Sequence, residues 1–322
     1  MKDKKIIIAG GTGFIGGELI KYFGNDNQIV ILTRNLKDAV NNAFGNTRLQ
    51  NVKAVIWNGK DVGEWWQELE GCDLVINLAG KSVNCRYTEK NKKEIFDSRV
   101  NATKALGEAI RKCINPPKLW INTASATIYR NAYDRPQDEF TGEIENDFSV
   151  QVCKLWEKTF FAEETEKTRK VALRMAITLG TGGVMVPYLN LCKFALGGKQ
   201  GSGKQMFSWI HIEDVCRAID YFFDNKQLSD VYNLSSPNPI TNKVFMSSLR
   251  KVTNNGIGLP AQKWMLRLGA TMIGTEAELL LKSRWVVPTK LTQAGFKFKH
   301  PEIEEAFESI VKAMPRKTYH LF

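Results

Sequence analysis

Apolar residues in the first half of the chain gather in short runs, separated by stretches where they recur every three or four positions. Lys5-Ile6-Ile7-Ile8-Ala9 reads as a strand and Phe14 to Phe23 as a helix. Further strands are predicted at Gln28 to Leu32, Val52 to Trp57, Asp73 to Leu78, Lys118 to Asn122 and Val171 to Arg174. Strands alternating with helices predict an α/β fold with a doubly wound parallel sheet covered by helices on both faces. Uninterrupted apolar runs such as Ile6-Ile7-Ile8 suit central strands buried on both sides.

After about Gly180 the pattern loosens into a glycine-rich stretch, GGVMVPYLNLCKFALGGKQGSGKQMFSWIHIEDV. A helix is predicted over Asp214 to Asp224 and a strand around Val231 to Leu234. From Ala261 onward the pattern is mostly helical, broken at Pro288, with a last helix from Pro301 to about Lys312. The expected organisation is a large domain over 1–180 and a smaller, mostly helical lobe over 181–322, the two interleaved. No internal repeat or low-complexity segment interrupts this pattern.

Composition narrows the function classes. The net charge is +11, but the basic residues are scattered with no dense block, so no nucleic-acid partner is expected. A basic surface also suits an anionic cofactor or substrate. The six cysteines form no Cys-x-x-Cys pair and there are three histidines, so neither a disulfide framework nor a metal site is expected, and a cytoplasmic setting fits. The start of the chain has no leader pattern. The most apolar stretch, 264–281, is interrupted by Arg267, Glu276 and Glu278, so no membrane span is expected. A monomer or a homodimer fits equally.

The first candidate for chemistry is Gly10-Gly11-Thr12-Gly13-Phe14-Ile15-Gly16, between the first strand and the first helix. Glycine permits a tight turn and close backbone approach, and a helix N-terminus offers free N–H groups to a pyrophosphate. The spacing is G-x-x-G-x-x-G, not the G-x-G-x-x-G of the standard dinucleotide fingerprint. The second strand ends in Thr33-Arg34-Asn35, where NAD proteins often carry an acid for the ribose hydroxyls. A guanidinium there suits a 2′-phosphate, so NADP is preferred and NAD is the second choice.

These residues resemble the extended short-chain dehydrogenase/reductases, the NAD-dependent epimerase/dehydratase superfamily with its Rossmann sheet. The resemblance is carried by GGTGFIGGEL, Asn77-Leu78-Ala79-Gly80, Ser125-Ala126-Thr127-Ile128-Tyr129 and Trp209 to Asp214. A narrower resemblance is to an atypical epimerase-family branch of unknown substrate. It is carried by SRVNAT at 98–103, CKLWE at 153–157 and GSGKQMFSWIHIEDV at 201–215, with a family-specific C-terminal segment at about 258–312. By that resemblance Gly10, Thr12, Gly13, Phe14, Ile15 and Gly16 line the pyrophosphate. Arg34 faces the adenosine phosphate, Leu78, Ala79 and Gly80 lie along the cofactor, and Ser125 bonds a substrate oxygen. After Ser125 the chain reads Ile128-Tyr129-Arg130-Asn131, where the branch tends to Gly-Tyr-Tyr-Gly, so the pocket wall departs from the pattern.

Related oxidoreductases move a proton with a tyrosine whose pKa is lowered by a lysine four residues later on the same helix face. None of the eight tyrosines here has such a lysine. The matching helix, DFSVQVCKLWE at 147–157, offers Ser149 and Cys153 instead. Phe148, Val152, Trp156 and Phe160 recur at helical spacing and predict a core-facing stripe. Lys154 is one residue past the lysine position, about 100° round the helix. Tyr129 remains a candidate catalytic group beside Ser125. Arg99 is a candidate cofactor contact. Arg86, Gln205, Trp209 and His211 are candidates for the pocket of a small, anionic substrate. Two functions stay open: an NADP-dependent oxidoreductase or epimerase with a substituted acid/base group, and a non-catalytic NADP(H)-binding sensor or scaffold.

Overall fold

The computed structural model describes residues 1–38, 51–272, 274, 276 and 278–321. Residues 273, 275 and 277, inside the apolar stretch 264–281, lie outside the described residues. The central sheet has seven strands: β1 (Lys5–Ala9), β2 (Gln28–Thr33), β3 (Val52–Ile56), β4 (Leu74–Asn77), β5 (Leu119–Ser125), β6 (Arg169–Met175) and β10 (Asp230–Leu234). Their order is β10-β6-β5-β4-β1-β2-β3, every neighbouring pair parallel. Between them come β7 (Ile177–Leu179), β8 (Met206–Phe207) and β9 (Trp209–His211), and β11 (Ile240–Thr241) follows. The small strands pair as β7 with β9 and β8 with β11.

Alternation along each strand splits the core in two. Ile6, Ile8, Ile29, Ile31, Ile76 and Ile121 face one layer, where they meet Leu19 and Ile20 of α1 (Phe14–Phe23) and Ile219 and Phe222 of the helix Ile212–Asp224. Ile7, Val30, Leu32, Val75 and Trp120 face the other, against Leu106 of α2 (Glu89–Lys112) and Phe160 of α3 (Phe148–Ala162). The β-branched runs are therefore buried on both sides, as a crossover-connected parallel sheet requires. A third core joins Tyr188, Leu189, Trp209, Phe245 and Phe307 across α4 (Met185–Lys193), α6 (Asn242–Val252) and the last helix (Ile303–Lys312); the helix Ile212–Asp224 is α5.

The strand expected near Val231 lies in the central sheet, registered Val231 to Ala172 on β6. Strand β5 continues three residues past its apolar run, because Thr123, Ala124 and Ser125 pair with Leu173, Arg174 and Met175. The order in which strands are added reverses between β1 and β4, β2 and β3 lying on one side and β5, β6 and β10 on the other, which opens a crevice at the carboxyl ends of those strands. No helix among the described residues is long and apolar enough to cross a membrane.

Candidate functional site

The glycine turn sits at that crevice. Gly10 has φ +76, and a Cβ there would lie 3.0 Å from the Ala79 backbone, so both conformation and proximity call for glycine. A Cβ on Gly16 would collide with the Gly11 backbone, which lets α1 start tight against the turn. At Gly13 the surroundings are open, the nearest atom being Gly10 O at 3.9 Å. Gly13 is also the N-cap of α1, and no side chain caps that end. The free N–H groups and the positive end of the helix dipole thus face open space beside a backbone that an anion can approach closely. These residues fit a dinucleotide pyrophosphate. Thr12 and Ile15 are half-buried at the turn, and the Phe14 ring is held by Gly180, Gly182 and Gly183. Arg34 is exposed just past the end of β2.

Across the crevice, Leu78 N–H donates to Ala9 O at 2.9 Å, and Ala79 N–H to Asn77 Oδ1 at 3.0 Å. Asn77 is fully buried and its Nδ2 donates to Asn122 Oδ1 at 2.7 Å. The Trp156 indole N–H donates to Thr103 Oγ1 at 3.1 Å. This polar knot, which pins the loop after β4 to α2 and α3, was not legible in sequence, since its members are far apart in the chain. Gly80 faces the Arg99 side chain, whose guanidinium carbon would be 3.3 Å from an added Cβ. Arg99 Nη1 donates to Lys81 O at 3.1 Å and Ile95 O at 3.0 Å, and the guanidinium lies 5.0 Å from the Trp156 ring centroid. Burial depresses its pKa.

Asp147 caps α3 by accepting from Val150 N–H at 2.9 Å, and its other oxygen pairs with Lys282 Nζ at 2.7 Å. Ser149 is half-buried and Cys153 buried. Burial, reinforced by Glu157, pushes the Cys153 thiol up to about 12, so it is not a nucleophile at neutral pH. Lys154 is exposed on a shallow groove with Leu155, Lys158 and Phe161, on a face that Cys153 does not share.

Ser125 ends β5 half-buried, and its Oγ accepts from Thr127 N–H at 3.2 Å. Tyr129 is 2% exposed; its Oη donates to Asn233 Oδ1 at 3.0 Å and accepts from Arg174 Nη1 at 2.8 Å. Arg174 in turn makes a two-pronged pair with Glu157, both contacts 2.8 Å. Burial raises the Tyr129 pKa against the pull of Arg174. The hydroxyl is thus already committed within a closed network.

The four residues expected in the substrate pocket do not meet. Arg86 is exposed and pairs with Glu276 at 3.3 Å. Gln205 is buried, donating to Gln200 O at 2.8 Å, and Trp209 is fully buried with its indole on Asn238 O at 3.2 Å. Both brace the glycine-rich loop that contains them. His211 lines a separate cleft of about 290 Å³ with Glu18, Tyr22 and Ile310. From the C-terminal segment, Lys282 pairs with Asp147 at the start of α3, and Arg284 Nε donates to Thr127 Oγ1 at 3.2 Å, on the residue whose N–H bonds Ser125 Oγ.

His211, Glu213 and His300 cluster with ligand-type atoms within 4.8 Å of one another. His211 Nδ1 accepts from Glu213 N–H at 3.1 Å, which places its proton on Nε2 and leaves no free lone pair. Glu213 also pairs with Lys299, and His300 Nε2 is 2.9 Å from it. The cluster is a satisfied helix cap with its ion pairs, and a cation would have to displace each of these partners.

A parallel sheet with an uncapped glycine turn at its switch point defines a dinucleotide-binding α/β protein. The chain belongs to the NAD-dependent epimerase/dehydratase family, whose model matches residues 6–235. Residues 263–310 match a domain of unknown function, DUF1731, which coincides with the C-terminal family segment expected at about 258–312. The chain is 31% identical over 307 residues to the epimerase family protein YfhF of Bacillus subtilis, covering 95% of this chain and 97% of that protein. It is 32% identical to the epimerase family protein SSP1921 of Staphylococcus saprophyticus, covering 96% and 99%. Among solved structures it resembles human epimerase family protein SDR39U1 (isoform 2) with NADPH, at TM-score 0.81 and 25% identity, over 96% of this chain and 100% of that one. The fold is also that of a UDP-N-acetylglucosamine 4-epimerase from Methanobrevibacter ruminantium, at TM-score 0.73 and 19% identity, over 97% and 98%.

Proposed function

We propose that this chain binds NADP(H) across the carboxyl edge of β1, β2 and β4 and uses it in an oxidoreductase or epimerase reaction on a small anionic molecule. The carrying observation is the uncapped start of α1 at Gly13, open to an anion, with Gly10 held at φ +76 against Ala79. Gly10 through Gly16 would hold the pyrophosphate, Arg34 the 2′-phosphate, and Leu78, Ala79 and Gly80 the nicotinamide half, with Arg99 behind Gly80. The human relative with NADPH supports the choice of NADP over NAD. When bound, the cofactor supplies or takes up hydride. Ser125 would orient a substrate oxygen from the end of β5. Arg284, bonded to Thr127 beside Ser125, would favour a substrate with negative charge. In this reading residues 1–180 carry the nucleotide and 181–322 the substrate side.

A second reading, a cofactor-holding sensor or scaffold, draws on Ser149 and Cys153 standing where a tyrosine and a lysine would serve. The test that comes first is titration with NADPH and then NADH, following energy transfer from tryptophan to nicotinamide. Tighter binding of NADPH is expected. Binding of neither would overturn the proposal.

A further inference from the structure

Trp264 is 66% exposed, while the other seven tryptophans are buried or half-buried. It stands near the start of α7 (Lys263–Met272), where Met265 is 43% and Leu268 56% exposed. Trp264, Leu268 and Met265 fall on one arc about 100° wide, because each residue turns the helix by about 100°. Leu266, on the far side, is half-buried. The helix is thus seated through Leu266 and turns its apolar arc to solvent, the reverse of a helix whose apolar stripe packs on a core. Lys263 and Arg267 flank the arc beside Trp264. Both are exposed, and neither has an ion-pair partner among the described residues.

The patch extends beyond the helix. The backbone leading into α7 runs beside the loop after α4: Leu259 N–H donates to Ala195 O at 2.8 Å, and Ala261 N–H to Lys199 O at 3.0 Å. Phe194, Leu196 and Leu259, on these two paired stretches, are all exposed. Segments 181–212 and 235–275, which contain these residues, carry eight lysines and arginines and no aspartate or glutamate. Lys251 is answered by Glu304 of the last helix at 2.7 Å. Lys199, Lys204 and Lys243 are exposed and, among the described residues, unpaired. Most of the chain's net charge of +11 therefore sits in the part of the molecule that also exposes its apolar side chains.

We propose that α7 and the adjoining loop dock this protein on an anionic lipid surface. Trp264, Met265 and Leu268 enter the boundary between headgroups and acyl chains, and Lys263 and Arg267 lie among the lipid phosphates. Exposed apolar patches of this kind are covered either by protein or by a membrane. A second copy of the chain meeting this patch about a two-fold axis would set its unpaired cations against their own kind. An anionic bilayer answers both features at once, acyl chains for the apolar arc and phosphates for the cations. At ten residues α7 is about 15 Å long, half the thickness of the hydrocarbon layer, so it lies in the plane of the surface. The inference goes beyond the cofactor reading and does not depend on it.

The test is sedimentation of the full chain with vesicles of phosphatidylcholine alone and of phosphatidylcholine mixed with phosphatidylglycerol, at low and at high salt. Binding to the mixed vesicles that salt weakens is expected, with little binding to the neutral ones. Trp264→Glu combined with Leu268→Glu should weaken it about 100-fold or more, because two apolar side chains no longer leave water. Lys263→Gln combined with Arg267→Gln keeps the apolar arc and should weaken it about 30-fold. All four positions are exposed, so both variants should melt with the wild type. Should the acidic variant melt early, the charge variant, which alters no apolar contact, decides the matter. No binding to the mixed vesicles, equal binding to the neutral ones, or binding unchanged in the charge variant overturns the proposal. So does a dimer in sedimentation velocity that Trp264→Glu with Leu268→Glu dissociates while vesicles bind neither form, which would give the face to a second copy.

Discussion

The edges of the crevice that we propose for the nucleotide and for the substrate are built from different materials. At the nucleotide edge the work is done by backbone: the Gly10 conformation, the bare start of α1, and the loop after β4 held by a buried asparagine. At the proposed substrate edge it is done by side chains brought from distant parts of the chain, among them Asp147 with Lys282 and Thr127 with Arg284. A backbone site follows from a few adjacent residues. A side-chain site is set by what packs against what, and its acids and bases can change address while the sheet stays the same.

The largest effect is expected from cutting the closed side-chain network of Tyr129, Arg174 and Glu157. Glu157→Ala leaves Arg174 buried without its two-pronged partner, and should cost about 3–5 kcal/mol in denaturant unfolding. A loss under about 1 kcal/mol would mean that backbone packing, not this pair, holds this region.

A smaller effect is expected from pH at the cap of α5. Burial first, and then the facing His300, lower the His211 pKa to about 4, while Glu213 and Asp214 oppose and Lys299 adds to the fall. The folded protein therefore keeps His211 neutral where the unfolded chain, titrating near 6.5, takes up a proton. Stability from this group is complete above pH 6.5 and falls as pH drops toward 4, by up to about 3 kcal/mol. His211→Asn keeps an oxygen to cap the helix and removes the titration. Its melting temperature should fall less between pH 7 and pH 5 than that of the wild type; parallel curves would sink the assignment.

At the nucleotide edge the comparison is sharpened by Arg34→Asp. Loss of a charge-assisted contact to a phosphate, worth about 1.5–3 kcal/mol, should weaken NADPH about 10- to 100-fold and leave NADH nearly unchanged. Equal loss for both would remove the 2′-phosphate role. The smallest effect is expected from Ser125→Ala, which should leave NADPH affinity within about twofold if Ser125 belongs to the substrate edge alone. A collapse of affinity in the same titration would move Ser125 to the nucleotide side.

Legibility follows the same division. Strand β1 and helix α1 were readable to the residue, because an apolar run, a glycine turn and a helical stripe are local signals. Three of the four residues predicted for the core face of α3, Val152, Trp156 and Phe160, are buried, while Phe148 at its first turn is half-buried against Tyr87 and Phe96. The indole bond from Trp156 to Thr103 was not readable. Tyr129 stood four residues after Ser125, which suggested a shared site, yet the short turn at Ala126–Ile128 carries its hydroxyl to Asn233 and Arg174. Gln205, Trp209 and His211 lie close in sequence to a glycine-rich loop, but the Gln205 amide bonds Gln200 O, the Trp209 indole bonds Asn238 O, and His211 caps α5, so each is held by a different neighbour.

By itself the sequence determined the parallel sheet, the phosphate turn, the family and the absence of a tyrosine–lysine pair on any one helix. Each of these is written within a few neighbouring residues, where spacing and backbone preference decide. Only the tertiary structure decided that β10 joins the sheet, that Lys282 and Arg284 of the C-terminal segment reach Asp147 and Thr127, and that Tyr87 packs on Phe148 and Arg99 over Trp156. Those contacts join residues far apart in the chain, and they exist only once the hydrophobic cores have fixed how α2, α3 and the last hundred residues lie against one another.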